Sequence, residues 1–552
     1  MRSLPAPLIR IVLVLAIGLG VAVDVFFAIV NFYPVAPHPN PGPRRYVVMQ
    51  LDPIQAAWFQ AHILDEFNAE TNSNLEVLRV SEEEQLQAVT RDAAKAGKDV
   101  VLTALPSTQI GRAVETKLVR PFTDVVPAAR VAADFSELGD AALAAGKVSG
   151  TQYFLPRMSV IDVAAYRVSK VRDAVLHWSV LRPQIDAALA KINGRGLPVG
   201  YELGLTPDAW TSYDLFVMAY YWSHRGYGGQ PARARVAHRT GDEIDGQRDI
   251  VSALYRVGAT DATVATFGAR ASIDLFAWEA LYRDEGAYVP EMFGDEPFDD
   301  EAVLEGLKSG ELYFAPIDTM EGFNLHGGSH AAALAQVDDP ADLEFTSMPR
   351  GASLALDAAG HPLRERPSFS FIEDWVWALP AEAQASGVGY QLVRFLWRPE
   401  IHARECEALG MLPLHPKVVA ERVSRFRLDW MSHVFEAGLE QARHGEQAPA
   451  AMIAQGVGSV YAQLWTKIVI GKVPATPESG IIDMLRAPPL PKPLAVRAAT
   501  DDVAAPPEKK EAPDAARPVA ENEDWETDVV LERVAPPNGG APRQPAGTGA
   551  RP

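Results

Sequence analysis

The sequence predicts an α/β fold, on three observations. From residue 44 to 471, strand-like and helix-like runs alternate. The first of these runs read β-α-β-α-β, a pattern that makes parallel pairing with right-handed crossovers the default. The composition, 48% hydrophobic and 22% charged over 552 residues, is that of a globular chain with room for two or three compact units.

The first strand is 46–51 (YVVMQL), short, apolar and β-rich. In 54–71, Ala57, Phe59, Ile63, Leu64 and Phe67 recur near helical spacing and leave Gln60, Asp65 and Glu66 for solvent. Strand 75–80 (LEVLRV), helix 82–96, Gly97 and strand 99–104 (DVVLTA) follow, and a polar loop closes the series at 106–108. Ligands of open α/β sheets sit outside the carboxyl ends of strands, which singles out Asp52, Ser107 and Thr108. Further along, 210–227 (WTSYDLFVMAYYWSHRGY) has helical spacing and reads as a core helix, with Asp208 as its N-cap.

The ends differ from this middle. Residues 11–33 are apolar except for Asp24 and Asn31, with Arg2 and Arg10 before them. That length suits a membrane-spanning helix of roughly 20 residues. Residues 11–23 also suit the apolar region of a cleaved signal peptide, although no clear A-x-A site follows. Both readings of 1–35 export the rest of the chain. Segment 36–43 is a proline-rich stiff spacer, and 487–552 is a Pro/Ala-rich tail too poor in apolar residues to fold.

Charge and cysteine narrow the function classes. With 51 basic and 71 acidic residues, the net charge of −20 disfavours a nucleic-acid partner. Cys406 stands alone, so no intramolecular disulfide forms. Enzyme signatures are weak. Glu373 and Asp374 are neighbours on a strand and point to opposite faces, which does not suit a glycosidase pair. His326 and His330 straddle two glycines and read as loop histidines rather than metal ligands, and there is no G-x-S-x-G elbow or P-loop. Nothing implies a cofactor or a metal.

Several passages, taken in order, resemble the bacterial extracellular solute-binding proteins of ABC importers, the maltose-binding type. They are 67–71 (FNAET) before strand 75–80; 98–102 with 118–122 (LVRPF); 150–156 (GTQYFLP) with 163–166 (VAAY); 305–323 (EGLKSGELYFAPIDTMEGF); and 371–379 (FIEDWVWAL) with 381–396 and 399–413. Arg167 stands where the family carries asparagine, there is no lipobox cysteine, and the tail is foreign to the pattern.

The resemblance implies a two-lobed periplasmic-binding-protein-like fold with interleaved lobes. The first lobe would hold 44–154 and 374–410, the second 155–373 and 411–472. It implies no enzyme, but capture of a small organic solute, carbohydrate first because of the aromatic content, for an ABC permease in the inner membrane. The protein would lie on the periplasmic side, anchored by its N-terminal helix or free if that segment is cleaved. The anchor and tail also admit a membrane-anchored sensor or docking subunit that does not transport. Cleft candidates by position are Asp52, Ser107, Thr108 and Arg157, then Asp318, Thr319, Glu321 and Phe323, then Asp374 and Trp375. Period-2 geometry puts Trp375 and Trp377 on one strand face and Asp374 on the other, so Asp374 and Trp375 meet a ligand together only at a bulge or strand end. Core packing competes for both tryptophans. Arg157 reads equally as the partner of a surface carboxylate.

Overall fold

The computed structural model describes residues 42–485, apart from short internal stretches of which the longest are 326–338 and 444–455. The expectations for the N-terminal segment, most of the spacer, the tail, His326 and His330 lie outside the described residues. Among the described residues no helix is long and apolar enough to cross a membrane.

The chain opens with β1 (Arg45–Gln50), α1 (Pro53–Phe59), β2 (Leu75–Val80), α2 (Leu86–Lys95) and β3 (Val100–Pro106). Helix α1 starts where Asp52 accepts from the Ile54 and Gln55 amides while the Gln55 side chain returns to the Asp52 amide, a capping box. It continues through a π turn, Gln60–Leu64, into Asp65–Thr71. Gln60 does not face solvent as its spacing suggests. Its amide donates to Leu75 O and accepts from Val77 N, because the π turn rotates it onto the backbone of β2.

Strand β1 pairs in parallel with β2 and β3, as the β-α-β-α-β pattern requires. The next long strand, β4 (Phe154–Arg167), has 14 residues and at about 3.3 Å each is long enough to serve two bodies. Helices α3 (Ser212–His224), α4 (Ile244–Arg256) and α5 (Asp300–Lys308) follow, then β5 (Phe314–Asp318), α6 (Thr319–Leu325) and β6 (Leu343–Thr346). Strand β7 (Ile372–Pro380) brings the chain back, and α7 (Ser386–Leu396), α8 (Pro399–Leu409) and α9 (Asp429–Ala442) come after it. Helix α3 is capped by Thr211, whose hydroxyl and amide both reach the Asp214 carboxylate, and not by Asp208. Asp208 lies in the preceding 3-10 turn, Pro207–Ala209.

One sheet runs through the molecule in the order β2-β1-β3-β7-β4-β5, with β6 also paired to β4. The first half of β4 pairs with β7 from Phe154 to Ile161, and the second half pairs with β5 from Asp162 to Tyr166. Two separate cores result. One gathers Val47, Phe67, Leu102, Phe154, Met158, Trp375, Trp377 and Leu396; the other gathers Val163, Trp210, Tyr221, Leu254, Trp278, Phe314 and Trp465. The fold is therefore a two-lobed α/β fold in which β4 and β7 pass between the lobes. A third passage is the backbone pair Ser159–Leu412, bonded both ways at 3.1 and 2.8 Å. Between the cores sits a small cluster of Ile161, Phe323, Leu412 and Phe435.

In the first lobe α7 lies so close to β3 that a Cβ on Gly389 would stand 2.1 Å from Val101 O. Only glycine permits that approach.

Candidate ligand-binding site

The ten residues singled out from the sequence fall into four groups. Asp52 is exposed at the end of β1 and occupied as the cap of α1. Ser107 and Thr108 form a half-buried 3-10 turn directly after β3, and the Thr108 hydroxyl has no hydrogen-bond partner. Arg157 and Trp375 turn into the first lobe. Arg157 meets no surface carboxylate. It is 1% exposed, lies 2.8 Å from the buried Glu405 and stacks 4.7 Å from the Trp377 ring centre. Trp375 is packed between neighbouring strands opposite Pro106 and Met158, and the register slips just after it. Both tryptophans are buried, since β7 is covered on both faces. Phe323 fills the junction cluster. Asp374, half-buried, accepts from the Ser159 hydroxyl on β4 and so ties the two crossing strands together.

Asp318, Thr319 and Glu321 come together where β5 turns into α6. The Glu321 amide donates to Asp318 and the Asp318 amide to Glu321, each at 2.7 Å, a further capping box. The Thr319 hydroxyl is fully buried and unpartnered.

Around this turn lies a buried charged network that pattern reading did not find. Arg239, 1% exposed, reaches Asp162 on β4 at 2.8 Å, Asp249 on α4 at 2.7 Å, Asp300 on α5 at 3.4 Å and Glu321 at 3.5 Å. Arg248 on α4 reaches Asp245 at 2.9 Å, Glu373 on β7 at 3.4 Å and Asp162 at 3.5 Å. Both crossing strands thus contribute a carboxylate to a cluster otherwise built by the second lobe. The cluster opens beside a cavity of about 250 Å³ lined by Arg239, Thr240, Asp245 and Asp300.

Excess negative charge and burial push several of these carboxyls up. Burial raises Asp300 to about 8, with Asp245 adding to the effect and Arg239 opposing it. Burial likewise raises Glu373 to about 7 against the pull of Arg248, and Asp318 to about 6. Such groups bind protons in the native state that the unfolded chain does not, so they favour the fold progressively as pH falls. His402 acts oppositely. Burial lowers it to about 3, and it withdraws stability as pH falls below about 6.5. Between pH 8 and 6.5 His402 withdraws little, and the raised carboxyls set the sign, with His238, raised by Glu279, acting in the same direction. The ligand-free protein is expected to be more stable at pH 6.5 than at pH 8 by on the order of 1 kcal/mol, mostly from Glu373. Asp300, 40% exposed, is discounted for screening. Denaturant unfolding at the two pH values checks this.

One member of the network had a signal in the sequence. Asp162 interrupts the apolar run VIDVAAY, and a charge inside a buried strand is uncommon enough to mark a site.

Two lobes joined by crossing strands, with a polar cavity bordering the junction, define the class of two-lobed solute-binding proteins. The chain matches the bacterial extracellular solute-binding protein family over residues 62–425, more than half its length, and belongs to that family. The family is one of binding proteins rather than enzymes.

Among solved structures, a cyclic α-maltosyl-1,6-maltose binding protein from Arthrobacter globiformis shares 13% identity, covering 81% of this chain and 97% of its own, at a TM-score of 0.54. Maltose-bound MalE3 of T. maritima shares 11%, with 80% and 99% covered, at 0.56. An ABC transporter solute binding protein from Agrobacterium radiobacter K84, in complex with ribitol, shares 13%, with 81% and 98% covered, at 0.53. At these identities the likeness is one of fold. No curated protein matches the chain.

Proposed function

We propose that this protein captures a small hydroxyl-bearing organic solute between its lobes and delivers it to an ABC permease, on the periplasmic side of the inner membrane. The observation that carries the reading is the charged network at the junction, where carboxylates from both crossing strands meet the second lobe beside a cavity. A solute that bridges groups of both lobes favours the closed arrangement and shifts the population toward it. Carbohydrates and polyols come first, in keeping with the ligands named for the similar structures. The lobes are assigned as 44–154 with 374–410, and 155–373 with 411–472. The N-terminal segment serves as anchor, or is removed on export.

Trp375 and Trp377 lie on β7 within the crossing, so closure is expected to alter intrinsic fluorescence. Titration with a panel of sugars and polyols is expected to give a saturable change for at least one of them. No response from any member would overturn the reading.

A further inference from the structure

We propose that the second lobe holds a binding site of its own for a small carboxylate, in a cavity where the guanidinium of Arg256 meets apolar walls. The site lies inside that lobe rather than at the junction, so it goes beyond the solute-binding reading and does not depend on it.

The cavity has a volume of about 60 Å³. Helix α4 lends it Asp249, Ile250, Ala253 and Arg256, and β5 lends it Phe314 and Pro316. At roughly 15 Å³ per water it has room for about four waters, or for an acid of about two to four carbons, and is too small for a sugar ring.

Five ionisable side chains line it, and four are already engaged. Glu279 accepts from the Tyr288 hydroxyl, from His238 and from the Trp465 indole. His238 turns one nitrogen to Glu279 at 3.0 Å and the other to the Arg239 carbonyl at 2.7 Å. Facing two acceptors, it is held as the imidazolium, and with Glu279 it forms a neutral pair. Asp249 accepts three bonds from Arg239.

Arg256 is the fifth. Its Nη1 donates to the Phe369 carbonyl at 3.0 Å. Nε and Nη2 have no partner among the described residues and, unlike the sealed Thr319 hydroxyl, keep accessible surface. No carboxylate of the described residues lies within ion-pair distance; Asp249, Asp162 and Glu279 act on Arg256 from further away. Burial outweighs them and pulls the arginine below its usual range. The charge is thus desolvated, and the open part of the side chain faces the cavity it lines.

The free edge selects the ligand. The Nε and Nη2 protons of a guanidinium run parallel along one side, a geometry that takes both oxygens of a carboxylate. The rest of the lining is apolar or already bonded, so a ligand hydroxyl finds no free partner, which favours an alkyl tail over a sugar acid. A desolvated arginine without a counter-ion is costly, and a bound anion offsets that cost. The carboxyls that Arg239 gathers beyond Asp249 oppose a further negative charge, so a Kd of about 0.1–1 mM is expected.

The test is calorimetric titration of the whole protein at neutral pH with acetate, propionate and butyrate, each against its uncharged amide. At least one carboxylate is expected to bind tighter than its amide by about tenfold or more. Arg256→Gln is expected to abolish that preference. Ala253→Val, one turn earlier on α4, leaves every charge in place and narrows the cavity. It is expected to weaken the larger acids more than acetate, and it keeps the test valid if the first variant fails to fold. Equal binding of acid and amide would overturn the inference, and so would carboxylate binding untouched by both variants, which would put the ion elsewhere. No heat from any acid at about ten times the expected Kd would mean that water alone fills the cavity, and would overturn it as well.

Discussion

Glu405→Ala is expected to lower the unfolding free energy by about 3–5 kcal/mol, the range for removing one partner of a buried ion pair. Glu405 on α8 and Arg157 on β4 are 0% and 1% exposed, and both Nε and Nη2 of Arg157 lie on Glu405 Oε1, at 2.9 and 2.8 Å. The guanidinium also covers the Trp377 ring on β7. One side chain therefore binds a helix of the first lobe to both crossing strands. Alanine leaves the arginine charged, desolvated and stacked on a ring that offers only weak compensation. The loss comes from the stranded charge more than from the bond itself. The double variant Arg157→Met with Glu405→Leu should accordingly recover most of the stability, since packed apolar pairs often match buried ionic ones. Urea unfolding of the single and double variants separates the two sources. A single variant within about 1 kcal/mol of the parent would place this pair in a much wetter setting than its burial indicates.

How much of this was legible beforehand follows from which interactions are local. Parallel β1, β2 and β3 are written in short apolar runs and in the helices between them, because side-chain periodicity is a local property. The order of the remaining passages was enough to anticipate two lobes. Capping at Asp318–Glu321 also had a readable spacing, yet these residues stood out only by position after a strand. Arg157 and Trp375 show the limit. A strand buried on both faces carries no alternation that separates core from cleft, so neither residue's direction could be read. Arg239 lay further out of reach. Its partners Asp162, Asp249, Asp300 and Glu321 are spread over four elements, and nothing in the order of residues brings such a set together before the chain folds.

Arg239→Met is expected to cost about 3–5 kcal/mol as well, and to cost more at pH 8 than at pH 6.5. The arginine is the positive centre of the network: Asp249 accepts from its Nε, Nη2 and backbone amide, while Asp162 accepts from the same Nη2. Without it, burial and like charges act on these carboxyls with Arg248 and the buried Arg256 left to oppose them, and those already raised, Asp300 and Glu321 among them, rise further. At pH 8 the fold must then keep several carboxylates charged and unpaired or draw protons from a dilute supply. At pH 6.5 the protons are available and part of the loss is recovered. Methionine fills much of the same volume, so a purely steric role for Arg239 would give an equal loss at both pH values. The sign of the difference, read from urea unfolding at the two pH values, thus distinguishes an electrostatic keystone from a packing residue. It bears on function too, because Arg239 holds a carboxylate of crossing strand β4 against α4 and α5 of the second lobe. An electrostatic keystone there would make the charge state of the network, and hence the protons it holds, part of what fixes the two lobes relative to each other.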